Sequence, residues 1–115
     1  MKKQILKSLK LHSGGQTGAD RAALDFALKR KLSCGGWCPA GRMAEDGTIP
    51  KHYPLRETPG EDPKERTHRN VKDGDATLII YYKKLDEGSR YTLSCAKEEL
   101  KPVYIIHSGE EINIA

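Results

Sequence analysis

Aromatic residues are scarce in this chain: one tryptophan, one phenylalanine and five tyrosines in 115 residues. A binder of single-stranded nucleic acid interleaves aromatic rings with its basic groups, and no such interleaving is present, so nucleic acid is not an expected partner. Long hydrophobic runs are also missing. No apolar stretch approaches the roughly 20 residues of a membrane helix, and none has the layout of a signal peptide. This points to a cytoplasmic protein with no membrane partner. There are only three cysteines, Cys34, Cys38 and Cys95. An odd count in such a chain argues for free structural thiols, and Cys34 and Cys38 stand four apart, not in C-x-x-C spacing. His12, His52, His68 and His107 show no H-x-x-x-H spacing. The residues offer no metal set and no nucleophile–base pair, so no catalytic residue is assigned.

The composition itself is that of an ordinary globular chain, 37% apolar and 31% charged. Its length fits one small domain spanning residues 1–115. The net charge is +4, which suits an anionic ligand. The basic residues are spread, with Lys2, Lys3, Lys7 and Lys10 at the start, 29–31 at a helix end, and Lys83 and Lys84 after a strand. A solvated basic surface accounts for them.

Apolar periodicity and turn residues alternate strand and helix. A strand over 9–13 leads through Ser13-Gly14-Gly15-Gln16-Thr17-Gly18 into a helix from about 18 to 31. Thr17 as N-cap and Asp20 three residues on fit a capping box. Ala22, Ala23, Phe26 and Ala27 are expected to face the sheet, and Asp25 and Lys29 to pair. A short strand covers 33–38. The stretch 39–60 is rich in glycine, proline and charge, and a loop this long is expected to be functional. Asp62-Pro63-Lys64-Glu65 starts a helix that stops at Gly74. Residues 76–82 form a continuous apolar run, as expected of a strand buried on both faces. A helix from about Ser89 to Leu100 and a second buried strand over 103–106 complete the order. The reading is an α/β fold with a mostly parallel sheet flanked by helices, whose ligands bind beyond the carboxyl ends of the strands.

The turn after the first strand is the leading site. Backbone N–H groups at a helix start lack partners and the helix dipole favours negative charge there, while glycines admit a phosphate close to the backbone. The same residues equally make a plain capped βα turn, since the pattern is neither G-x-G-x-x-G nor a Walker loop. Arg42, Glu45 and Asp46 are either ligand contacts or a charged surface turn. Arg66, Thr67 and Asn70 share a helix face, which binds or is merely solvated. Trp37 either stacks on a flat ring or fills the core.

Several blocks together carry a resemblance: SGGQTGADRAA at 13–23, GGWCPAGRMAEDGTIP at 35–50, YPLRET at 53–58, then Arg66-Thr67, Asn70 and a DATLII strand at 75–80. In this order they resemble the family named putative molybdenum carriers. That family belongs to the Rossmann-like superfamily that includes the lysine-decarboxylase-like and DNA-processing proteins. The resemblance implies a Rossmann-like three-layer domain. It implies that Gly14, Gly15, Gln16, Thr17 and Gly18 cradle an anion, with Asp20 and Arg21 lining the loop. Arg42, Glu45 and Asp46 would contact the ligand, Arg66, Thr67 and Asn70 would close the far side, and Trp37 would lie beside it. Thr92, in Gly88-Ser89-Arg90-Tyr91-Thr92, would keep the last position of the family's Gly-Gly-Thr-type turn. The implied function is non-enzymatic binding or carriage of a phosphate-bearing heterocycle, the molybdenum cofactor first. The alternative is a nucleotide sensor or a phosphoribohydrolase-like enzyme acting on nucleoside monophosphates. Residues 85–96 lack the glutamate motif of the glycosidase relatives, which argues against the enzyme. Family members continue past the position of Ala115, so either the site lacks the family's C-terminal segment here or an oligomer partner covers it. The edge of a small parallel sheet also needs covering, and a homo-oligomer is expected.

Overall fold

The computed structural model describes residues 9–107; Lys2, Lys3 and Lys7 lie outside them. The chain forms two compact units, Met1–Asn70 and Val71–Ala115.

In the first unit, β1 (Lys10–His12) runs parallel to β2 (Ser33–Gly35), with Lys10 opposite Ser33 and His12 opposite Gly35. Parallel neighbours need a crossover, and α1 (Ala19–Lys29) supplies it. α1 turns Leu24 and Ala27 inward, both at 0% exposure. The expected inward face is therefore corrected by part of a turn. Ala22 is exposed, and Phe26 is half exposed with the Arg30 guanidinium 5.1 Å from its ring centre. Asp25 accepts a hydrogen bond from the Tyr53 hydroxyl at 2.7 Å in place of the expected pairing with Lys29. The helix closes with paired backbone bonds from Lys31 to Leu28 and from Leu32 to Ala27, with Lys31 left-handed at φ 57, a Schellman ending.

The strand expected over 33–38 is broken at Gly36. Its φ is 131, and a Cβ there would lie 2.3 Å from the Ser13 carbonyl oxygen, so only glycine fits. Beyond it β3 (Trp37–Cys38) leaves the first pair and runs parallel to β6 (Arg56–Glu57). Between them a small antiparallel hairpin joins β4 (Met43–Ala44) to β5 (Gly47–Thr48). The stretch 39–60 is thus well packed: Ile49, Tyr53 and Leu55 form one buried cluster with Leu24 and Cys38.

α2 (Pro63–Asp73) starts as the sequence predicts, with the Asp62 carboxylate accepting from the Lys64 N–H at 2.9 Å. The division between the units falls within it. In the second unit β7 (Thr77–Tyr81) and β8 (Val103–His107) pair in parallel over five residues, with α3 (Glu87–Glu98) between them in the chain. α3 begins two residues earlier than expected, because Asp86 caps it and accepts from the Ser89 N–H at 2.7 Å. Val71, Cys95 and Ala96 form its core, with Tyr91 and Val103 against it. The expectations that β7 is buried on both faces and that β8 is buried are corrected: Ile79 is 5% exposed, but Leu78 is 57% and Tyr104 62% exposed. Parallel strand pairs alternating with helices make this an α/β, Rossmann-like fold.

Candidate anion site at the start of the first helix

The glycine turn is held by side chains. The buried Ser13 hydroxyl donates to the Asp20 carbonyl at 2.9 Å and accepts from the Gly15 N–H at 3.2 Å. Gly15 and Gly18 are left-handed, at φ 75 and 85. The expected capping box does not form. Gly18 is the N-cap and makes no side-chain cap bond. Asp20 reaches back instead, and its carboxylate accepts from the Gln16 N–H at 3.2 Å. The Arg21 and Ala22 N–H groups donate to the Gln16 and Gly18 carbonyls at 3.1 and 3.0 Å, and the N–H groups that precede them at the helix start have no acceptor within the helix.

Arg66, from α2, lies against this turn. A Cβ on Gly14 would meet its Nη1 at 2.2 Å and its Cζ at 2.9 Å. The guanidinium therefore sits on the loop backbone, and glycine at position 14 makes room for it. Nη1 is 3.7 Å from an Asp20 carboxylate oxygen. Arg66 Nε is buried and has no hydrogen-bond partner. An unmet N–H of a charged group is costly to bury.

The hairpin docks on the other side. Gln16 Nε2 donates to the Met43 carbonyl at 2.9 Å, and the Thr17 hydroxyl donates to Glu45 at 3.3 Å. Arg21 donates through Nη1 and Nη2 to both oxygens of Asp46, and through Nε to the Gly15 carbonyl at 3.0 Å. The hydrogen bond from Arg21 is the main reason the Asp46 carboxyl is held below its ordinary range. The linked interaction is present above the ordinary carboxylate pKa and is lost as pH falls through the lowered one.

The remaining candidates have structural partners. Arg42 donates from Nε to Ile49 O at 3.1 Å and from Nη1 to Leu55 O at 3.3 Å. Its Nη2 donates to Pro50 O at 2.8 Å and Tyr53 O at 3.0 Å. Asn70 binds the Trp37 backbone twice, accepting from its N–H at 2.8 Å and donating to its carbonyl at 3.0 Å. Thr67 is buried. The guanidiniums of Arg56 and Arg69 each lie over the Trp37 ring, 4.8 and 4.7 Å from its centre. Thr92 belongs to the second unit, inside α3 and not in a turn, and its hydroxyl donates to the Gly88 carbonyl at 2.9 Å. Ser13 and Gly36 were not singled out from the sequence. The signal for Ser13 was its place at the strand end beside two glycines.

Burial raises the thiol pKa of Cys34, Cys38 and Cys95 above the ordinary value, chiefly by desolvation. Among the described residues, no group of three or more Cys, His, Asp or Glu side chains converges to hold a metal. No helix among them is long and apolar enough to cross a membrane.

A glycine turn between a parallel strand and a helix, with an arginine laid on it, belongs to the α/β, Rossmann-like class of folds. Residues 11–115 match the circularly permutated YpsA SLOG family, and the chain belongs to that family. It is also similar to a solved structure from Syntrophus aciditrophicus SB, named "Putative molybdenum carrier protein", at 48% identity and a TM-score of 0.85. That match covers 90% of this chain and 65% of the other, so this chain spans just under two thirds of that protein's length. No curated protein matches it.

Proposed function

We propose that this protein binds and carries, without turning it over, a phosphate-bearing heterocycle at the glycine turn, with the molybdenum cofactor as cargo. The observation that carries the reading is the Arg66 guanidinium against Gly14, its Nε buried and unpaired at the start of α1. An arginine fork matches phosphate geometry, and the helix start adds N–H donors. In this reading Gly14, Gly15, Thr17, Gly18 and Arg66 face the anion. Gln16, Asp20 and Arg21 brace the loop, and Glu45 and Asp46 face it from the hairpin. Arg42, Thr67 and Asn70 hold the frame, and Trp37 with its two arginines flanks it. The molybdenum assignment draws on the name of the similar protein from Syntrophus aciditrophicus SB. The setting proposed is cytoplasmic, and the active form a homo-oligomer.

Native mass spectrometry of gently purified protein tests the proposal. A retained mass with molybdenum's isotope pattern is expected, and the same spectrum reads the oligomeric state. A retained nucleotide without molybdenum replaces the cargo with a nucleotide. Arg66→Ala is expected to lose about 1.5–3 kcal/mol of binding, the range for a hydrogen bond to a charged group. Unchanged retention removes Arg66 from the site.

A further inference from the structure

The β4–β5 hairpin is fastened very differently at its two ends. Its base is tied down: Arg42 grips four carbonyls of the segment 49–55, and Ile49 is fully buried. The Ile49 N–H also donates to the Arg42 carbonyl at 2.7 Å. Its tip, by contrast, is exposed from Glu45 to Thr48. The Thr17–Glu45 hydrogen bond and the bidentate Arg21–Asp46 pair hold the tip to the glycine turn, and Gln16 holds the first strand of the hairpin through the Met43 carbonyl. The surface bond to Glu45 holds weakly, and the Asp46 side chain, 51% exposed, leaves its pair with Arg21 open to competition from other anions. Gly41, before the hairpin, and Gly47, at the start of β5, have φ of 82 and 114, and around Gly47 a Cβ would meet nothing within 4 Å.

Charge gives this arrangement a direction. Residues 43–48 carry two carboxylates, Glu45 and Asp46, and no cation. These carboxylates occupy the Thr17 hydroxyl and the Arg21 guanidinium, two donors beside the helix start. An anion arriving at the turn would compete for those donors and repel the tip.

We propose that the hairpin is a displaceable latch: Glu45 and Asp46 act as internal anions that an anionic ligand must exchange out of the glycine turn. The inference rests on the anion-site reading above. The closed latch lowers apparent affinity by the fraction of protein in which the tip is engaged. Releasing the tip leaves the base in place, because Arg42 and Ile49 do not move with it.

The test compares the native chain with the double variant Glu45→Gln/Asp46→Asn, using inorganic phosphate as probe. Two readouts are taken, amide hydrogen exchange over 43–48 and the NMR shifts of the amides of 14–18. In the ligand-free variant, exchange over 43–48 is expected to rise several-fold while that of 24–27 stays unchanged. Phosphate is expected to bind the variant several-fold more tightly, and to speed exchange over 43–48 in the native chain. Unchanged exchange in the variant overturns the latch before any ligand is added. Equal phosphate affinity for both proteins overturns the latch alone. Phosphate that shifts no amide in either protein overturns the anion site, and the latch with it.

Discussion

The two units reach order by different routes. Among the described residues, the first, Met1–Asn70, has strands of two or three residues, and side chains reaching distant backbone stabilise them. Ser13, Arg21, Arg42 and Asn70 each bind main-chain groups across the fold. The second, Val71–Ala115, has among its described residues two five-residue strands in unbroken parallel register and a conventionally capped helix. Its apolar residues are less enclosed: Leu78, Tyr82 and Tyr104 are more than half exposed, whereas Leu24 and Ile49 in the first unit are fully buried. Regular backbone pairing needs few special residues. An irregular segment must find its partners one side chain at a time, and it is the irregular segment that carries the candidate site.

The contrast can be broken by substitution, with urea unfolding followed by circular dichroism as the readout. Leu24→Ala removes a fully buried side chain from the first core and is expected to cost about 3–4 kcal/mol. Arg42→Ala comes next, at about 2–3 kcal/mol, since it strips four carbonyls of a charged donor. A loss below about 0.5 kcal/mol would show that the segment 39–60 stands without it. Lys101→Met samples the second unit. Lys101 Nζ donates to the carbonyls of Val71 at 3.1 Å and Gly74 at 2.7 Å, and to that of Lys72, which finishes α2. The expected loss is about 1–2 kcal/mol. The smallest change has the opposite sign. Leu100 is 92% exposed and sits at φ 54 in the Schellman ending of α3. Leu100→Gly relieves left-handed strain and is expected to stabilise by about 1 kcal/mol.

Local chemistry was legible in the sequence; distant chemistry was not. Asp62-Pro63 marked the start of α2 because its cap acts within two residues. The turn at Gly14–Gly18 was visible as a glycine cluster between a strand and a helix. Thr17 was misread because Asp20 has two ways to satisfy an N–H nearby, and spacing does not separate a capping box from an Asx-type return to Gln16. The roles of Arg42 and Arg66 were hidden for another reason. Arg42 reaches carbonyls seven to thirteen residues away, and Arg66 meets a glycine more than fifty residues away, so no periodicity records them. The exposure of Leu78 was likewise missed, because a continuous apolar run states composition and not which face is covered.

Trp37 is the chain's single tryptophan, and it stands in the first unit with the Arg56 and Arg69 guanidiniums over its ring and its backbone bracketed by Asn70. Its emission is consequently an unlabelled optical reporter placed in the first unit. Excitation at the indole band reads the loosening of the 39–60 region as a shift in colour, while four of the five tyrosines, Tyr81, Tyr82, Tyr91 and Tyr104, stand in the second unit and weight tyrosine emission towards it.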